Sequence, residues 1–452
     1  MEREYLLNEK PVKALWSFAL PILLGNLFQQ FYTMADSMIV GRCVGEDALA
    51  AIGASYSLTN VFICIAIGGG IGASVLTSRH FGARRYSHMR LSISTTLISF
   101  LILSLLLAAG GFFFCRPLLL LLNTPSNILD MAVDYLRIYF LGLPFLFMYN
   151  VLSSQFNALG RSKIPFRLLV FSSLFNIILD LFLVDTLNLG ITGAAWATLA
   201  AQGLSVFFSL FLFLRELRAC PVSGEEERFP AFQFKELAAV SRVALPSIFQ
   251  QSTVSIGAML VQSVVNLFGS QVLAGYSAAS RVESLCFVPM AALGNAMSSY
   301  TAQNLGAGRT ESIKRVREGY HAALRLAALF AVLLCLITEI FCRPLIHSFL
   351  GNDGTPAALE TGVSYLSFIG FFFFLIGLKM STDGLLRGAS DMKAFTIANL
   401  TNLTLRVVFA SVWLPALVPL WSGMPSPWAG LPIFLSHGEN TAAENGRKHR
   451  NN

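Results

Sequence analysis

Charge is scarce in this chain. Only 13% of its 452 residues are Asp, Glu, Lys or Arg, against roughly 25% in soluble domains. Together with a mean hydropathy of +0.63 and 55% hydrophobic residues, this excludes an ordinary soluble fold. Paired cysteines are missing too. The seven cysteines (Cys43, Cys64, Cys115, Cys220, Cys286, Cys335 and Cys342) include no CxxC, and no Cys/His spacing suits zinc. Most fall in apolar runs, where Cys behaves as a small hydrophobe. The six histidines are scattered through loops, span ends and the tail. No constellation of a membrane enzyme emerges, and no nucleotide-binding domain is present to drive transport. The Gly68-Gly69-Gly70-Ile71-Gly72 run lacks the Lys-Ser/Thr of a phosphate loop. It lies within an apolar run and reads as a place of close helix packing. Residues 1–13 lack the short apolar core and small-residue cleavage site of a removable leader.

What the chain does have is long apolar runs, written twice. Leu20-Pro21 opens one run and Leu245-Pro246 opens another. Phe81-Gly82-Ala83-Arg84-Arg85 is echoed by Leu305-Gly306-Ala307-Gly308-Arg309. Pro21 and Pro246 are 225 residues apart, Gly82 and Gly306 224. A duplicated multi-helix unit marks a secondary transporter, which works at the junction of its repeats. Runs beyond ~20 residues span a bilayer as helices, and helices satisfy every backbone polar group internally. Spans are predicted at 14–40, 48–77, 91–115, 131–157, 165–186 and 190–214, then 238–266, 272–303, 320–342, 359–386 and 394–418. The expected fold is an all-α integral membrane protein of two pseudo-symmetric six-helix lobes. Residues 1–218 form the first lobe, 219–237 a linker, 238–436 the second lobe and 437–452 a disordered polar tail. Prolines 21, 144, 246 and 289 interrupt their helices, with Pro21 and Pro246 marking a shared kink.

The net charge of +7 reads as basic loops on one membrane face rather than a nucleic-acid surface. Arg79, Arg84, Arg85 and Arg90 follow span two, and Arg309, Lys314, Arg315 and Arg317 follow span eight. The positive-inside bias then places the N-terminus in the cytoplasm of a multi-pass cell-membrane protein.

The stretch LPILLGNLFQQFYTMADSMIVGRCVGEDALAAIGAS and the Phe-Gly-Ala-Arg-Arg and Leu-Gly-Ala-Gly-Arg turns resemble the multidrug and toxic compound extrusion (MATE) transporters. So do the turns Gln155–Arg161 and Asp383–Gly388. The resemblance runs over residues 10–410. It implies two six-helix lobes around a V-shaped cavity, and export of organic cations in exchange for protons or sodium. It implies no cofactor, small cationic cargo, contact with membrane lipid and a monomer. The alternative within the wider superfamily is a flippase for lipid-linked saccharides. That function calls for arginines within the spans, whereas the interior charge of the first lobe is acidic.

Asp36, late in span one, is the leading candidate. A carboxylate in hydrocarbon is costly and normally faces a cavity or a partner. One such group can hold a proton or a cation, the minimum for antiport. Asn176 and Asp180 lie one turn apart in span five and share a face. With Asp36 they form the expected coupling site, for a proton or for sodium. Phe28, Gln29 and Tyr32 precede Asp36 on span one and are expected to line the cavity, the aromatics holding flat cations. Asn402-Leu-Thr-Leu-Arg406 repeats the Asn-x-x-Leu pattern of Asn176–Asp180 with the opposite charge, so ion coupling is expected in the first lobe alone. Glu283 and Lys379 are expected to form a structural ion pair in the second lobe.

The end of the chain departs from the pattern. Three prolines and two glycines between Ser422 and Pro432 make a poor twelfth span. Read one base earlier from Trp421, suitable synonymous codons spell a Trp-x-Ala-x-Pro run and then a Gly-Lys-Trp tail, as the resemblance implies. A shifted frame near Ala410–Trp413 is therefore expected in preference to a divergent tail. The nucleotide sequence tests this directly, since codons that do not yield the second frame exclude it.

Overall fold

The computed structural model describes residues 4–220, 230–351 and 355–408, and every regular element among them is helical. In chain order these are α1 (Tyr5–Asn8), α2 (Pro11–Cys43), α3 (Glu46–Gly82), α4 (Tyr86–Leu121), α5 (Ser126–Ala158), α6 (Lys163–Asp180), α7 (Gly190–Arg218) and α8 (Phe234–Val265). After them come α9 (Ser270–Gly306), α10 (Ser312–Leu350), α11 (Pro356–Gly370), α12 (Phe373–Ala389) and α13 (Met392–Val408). A π-helical segment, Leu181–Thr186, continues α6, and a 3-10 turn, Asn266–Phe268, follows α8.

As far as the described residues reach, every predicted span overlies a helix, the eleventh as far as Val408. Among the described residues, eight helices are long and apolar enough to cross a bilayer, and the α11–α12 pair, bent by 54°, makes up to nine. Helix α9 is long but more polar. Ser298, Ser299, Thr301, Gln303 and Asn304 lie along its second half and are all buried, so its polarity is turned into protein. The predicted twelfth span, the polar tail and the shifted frame lie outside the described residues, as does most of the acidic stretch of the linker.

The prolines do not interrupt their helices. α2, α5, α8 and α9 run on through Pro21, Pro144, Pro246 and Pro289. Neighbouring helices and side chains can re-satisfy the carbonyl that each proline frees.

The described residues fall into two compact units. One lies within Met1–Ser252, Phe287–Phe330 and Phe374–Ile397, the other within Thr253–Cys286, Ala331–Phe373 and Ala398–Asn452. In the first, Phe100, Phe140, Leu143, Phe147 and Val151 build an apolar core with Ala66 and Ala73. Large apolar side chains on α4 and α7, such as Leu106, Phe113 and Phe207, remain exposed, as suits helices facing lipid. The glycine run of α3 is a packing surface. A Cβ at Gly68 would strike the backbone of Ile248, and one at Gly72 the backbone of Ala244. Helix α8 therefore approaches α3 more closely than any larger side chain permits.

The repeated turns pack on each other with near two-fold reciprocity. A Cβ on Gly82 would collide with the Gln303 carbonyl, and a Cβ on Gly306 with the Arg79 carbonyl. Arg79 Nη2 donates to the Ala389 carbonyl at 3.3 Å, and Gln303 Nε2 to the Ala158 carbonyl at 2.7 Å. These acceptors are the last residues of α12 and α5. The N-terminal segment crosses the same region. Tyr5 donates to the Gly160 carbonyl at 3.0 Å, Asn304 to the Leu6 carbonyl at 3.2 Å, and Leu6 and Leu7 are buried. Arg84 hydrogen-bonds Glu4 at 2.8 Å and holds its carboxylate below the usual range.

Gly82→Ala or Gly306→Ala should destabilise the protein by about 1–3 kcal/mol, as overpacking does. Gly53, whose Cβ would meet nothing within 4 Å, is the control. There alanine should be neutral or stabilising by about 0.5–1 kcal/mol. Thermal unfolding in detergent reads both, and equal melting temperatures for all three variants would contradict the packing described.

Candidate functional site

Two helices of the first unit, α2 and α6, carry the predicted acids. Asp36 stands late in α2 and Asp180 is the last residue of α6 before the π-helical segment. The two carboxyl groups lie within electrostatic reach of each other. Two carboxylates offer only acceptors, so such a pair favours a bound proton or cation. Asp180 is fully buried and Asp36 half-buried. On each acid, Oδ1 is buried and has no hydrogen-bond partner among the described residues. Buried polar atoms are rarely left so, and here each open oxygen belongs to a group that can bind a proton or a cation.

Asn176 fixes the geometry. It is 1% exposed, one turn before Asp180 on α6. In the orientation that satisfies both ends of the amide, Nδ2 donates to Asp180 Oδ2 at 2.9 Å and to the Tyr32 hydroxyl at 3.1 Å. Its oxygen accepts from the Thr198 backbone N–H of α7 at 3.1 Å. Tyr32, one turn before Asp36, thus joins α2 to α6, and its hydroxyl also bonds the Thr198 side chain.

The site draws on residues that the sequence pattern did not single out. Thr198 is one. Tyr135 of α5 is another, lying within electrostatic reach of both Asp36 and Asp180. A third feature is the π segment that begins immediately after Asp180. Such widened turns recur at functional sites. None of these had a signal in the sequence, because an aromatic or Thr in an apolar run looks like any packing residue.

The other expected residues separate. Phe28 lies on the face of α2 that carries Tyr32 and Asp36 and is half-buried, while Gln29 is exposed. Glu283 and Lys379, the expected pair of the second lobe, fall in different compact units, and each has a partner in its own. Lys379 Nζ lies 2.6 Å from Asp383 Oδ2, one turn along α12. Glu283 accepts from the Tyr365 hydroxyl at 2.8 Å. The Lys379–Asp383 contact follows from helix geometry, since an i,i+4 pair on one helix closes without help from a second helix.

For sodium, the arrangement offers few donors. Hard cations are held by several oxygens, but here Asn176 turns its nitrogen to Asp180 and spends its oxygen on Thr198. No group of three or more His, Cys, Asp or Glu suited to a metal ion occurs among the described residues.

The chain is similar to known proteins over most of its length. The sequence model of the MatE family matches residues 21–182 and 246–412. The probable multidrug resistance protein YpnP of Bacillus subtilis (strain 168) is 31% identical over 426 residues, covering 94% of this chain and 92% of that protein. The FAD transporter of Shewanella oneidensis is 26% identical over 367 residues, covering 79% and 78%. Among solved structures, the outward-facing conformation of a multidrug resistance MATE family transporter of the MOP superfamily aligns with a TM-score of 0.83. It is 23% identical and covers 91% of this chain and 90% of that one.

Asn176→Leu would leave Asp180 Oδ2 and the Tyr32 hydroxyl without this donor. The expected loss is about 1–3 kcal/mol of stability, read by thermal unfolding. A similar loss in Tyr32→Phe, and less than additive loss in the double variant, would show that the two residues act through one network.

Proposed function

The chain belongs to the MatE family, and from that premise we propose that it exports amphipathic organic cations in exchange for protons, with Asp36 and Asp180 as the coupling groups. The observation that supports this reading is a pair of neighbouring carboxyl groups, each with a buried oxygen that has no hydrogen-bond partner among the described residues. A proton taken up in the empty state would relieve the repulsion of two carboxylates. An arriving cation is attracted to the acids, and the positive charge it brings favours release of that proton. Taking up a proton from the other side expels the cation in turn. One site cannot hold both at full strength, so the two fluxes run in opposite directions. The multidrug resistance name of the B. subtilis relative supports cargo of this kind.

Sodium is the second candidate for coupling, and the Asn176 orientation disfavours it. The basic loops favour a cytoplasmic N-terminus. On that topology α2 and α6 both run outward, so the acid pair lies in the outer half of the membrane.

The decisive measurement is efflux of a fluorescent cation from proteoliposomes under separately imposed proton and sodium gradients. A proton gradient alone should drive transport. In Asp36→Asn, substrate-driven proton movement should fall at least about tenfold while the melting temperature holds, since an amide cannot carry the proton. Normal antiport in that variant would remove Asp36 from the mechanism, and drive by sodium alone would overturn proton coupling.

A further inference from the structure

The N-terminal segment has no part in the acid site, yet every residue from Glu4 to Glu9 is tied down or buried. Arg84 Nη2 donates to Glu4 Oε2 at 2.8 Å, and the Tyr5 hydroxyl to the Gly160 carbonyl at 3.0 Å. These two contacts reach the α3–α4 and α5–α6 turns of the first repeat. The residues that follow are held by the second repeat. Asn304 Nδ2 donates to the Leu6 carbonyl at 3.2 Å, Arg315 Nη2 to the carbonyls of Leu6 and Glu9, and Arg309 Nη1 to Asn8 Oδ1 at 3.2 Å. The guanidinium of Arg315 is itself aimed by Nε, which donates to Asn304 Oδ1 at 2.9 Å. Leu6 and Leu7 are 1% and 3% exposed. All of these residues belong to the first compact unit.

Helix α1 is a single turn of four residues, too short to persist by itself. Its order therefore comes from the groups that grip it. Three of the grips are on main-chain carbonyls, and the two from Arg315 are charge-assisted, so they are the strong ones. The chain entering the second repeat is held in the opposite sense. Glu236, in the first turn of α8, lies 3.8 Å from His80 Nε2 of the first repeat. His80 and Asn304 stand at matching places, two residues before the final glycine of α3 and α9, each 37 residues long. Each of these two helix ends is thus met by the chain entering the other repeat.

Between these contacts the two turns lie backbone to backbone. A Cβ on Gly82 would strike the Gln303 carbonyl, and one on Gly306 the Arg79 carbonyl. Transporters built from repeats open one membrane face at a time by rocking one repeat against the other. Opening the face that carries these turns parts Gly82 from Gly306, and Glu4–Glu9 cannot then keep its grip on both. We propose that Glu4–Glu9 is a strap that holds this face closed, and that letting go of one repeat is a required step in opening it. The place of that step in export rests on the function proposed above, whereas the hold of the strap on the turns does not.

The test puts spin labels on the two turns of the full-length protein in lipid nanodiscs, at the exposed positions Arg85→Cys and Glu311→Cys. Cys43 and Cys335, which are not buried, are replaced by serine. Double electron–electron resonance reads the distance between the labels. The intact strap should give mainly the short distance. Arg315→Met should raise the population of a longer distance at least about tenfold, as the loss of a charge-assisted hydrogen bond would. Tyr5→Phe, which frees the first repeat instead, should raise it several-fold. Arg116→Met, which breaks the ion pair with Asp130 at the other end of α4, should leave the distribution unchanged. An unchanged distribution in Arg315→Met or Tyr5→Phe, as local fraying of the segment would give, overturns the proposal, and so does an equal rise in Arg116→Met. Neither cargo nor an ion gradient enters the measurement, so its failure is separate from failure of Asp36 as a coupling group.

Discussion

Hydrocarbon offers no hydrogen bonds, so every polar group carried into the membrane must find its partner inside the protein. The helical architecture follows from this constraint for the backbone. For side chains the consequence is more specific. Asp180 can be fully buried because Asp36 and Asn176 meet it there. Tyr32 and Thr198 then fix Asn176, and through it three helices. The open oxygens that remain on the acids are costly in such a setting, which is why they point to a ligand.

The same constraint shapes the packing. Van der Waals contact and interhelical hydrogen bonds hold helices together in lipid, and small residues permit both. Gly68 and Gly72 admit α8, and Gly82 and Gly306 admit each other's helix. The turn motifs that repeat through the sequence are therefore contact surfaces. Arg79 and Gln303, which stand at matching places in the two turns, each reach the last carbonyl of a neighbouring helix. The duplicated frame is symmetric where backbone meets backbone, and asymmetric where charge lies.

That asymmetry divides the chemistry. The first copy gathers two acids around an amide. The second carries Arg406 where the Asn-x-x-Leu pattern has Asp180, and its Glu283 accepts from the Tyr365 hydroxyl.

The helices, their order, the repeat and the acids were legible in the sequence, because each leaves a local mark: apolar length, a recurring turn, a carboxylate where none is cheap. Asp36, Asn176 and Asp180 were found this way, and they do meet. Tyr135, Thr198 and the π segment were not, since nothing local distinguishes them from packing residues. Lys379 and Glu283 take Asp383 and Tyr365 as partners, a choice that distances within each unit set. Composition and spacing by themselves determined that the chain crosses a membrane twice over in one pattern, since apolar length and repetition are properties of the chain. Only the tertiary structure decided that Asn176 joins Asp180, Tyr32 and Thr198, and which partner Lys379 and Glu283 take. Those depend on distances between helices, which the sequence does not carry.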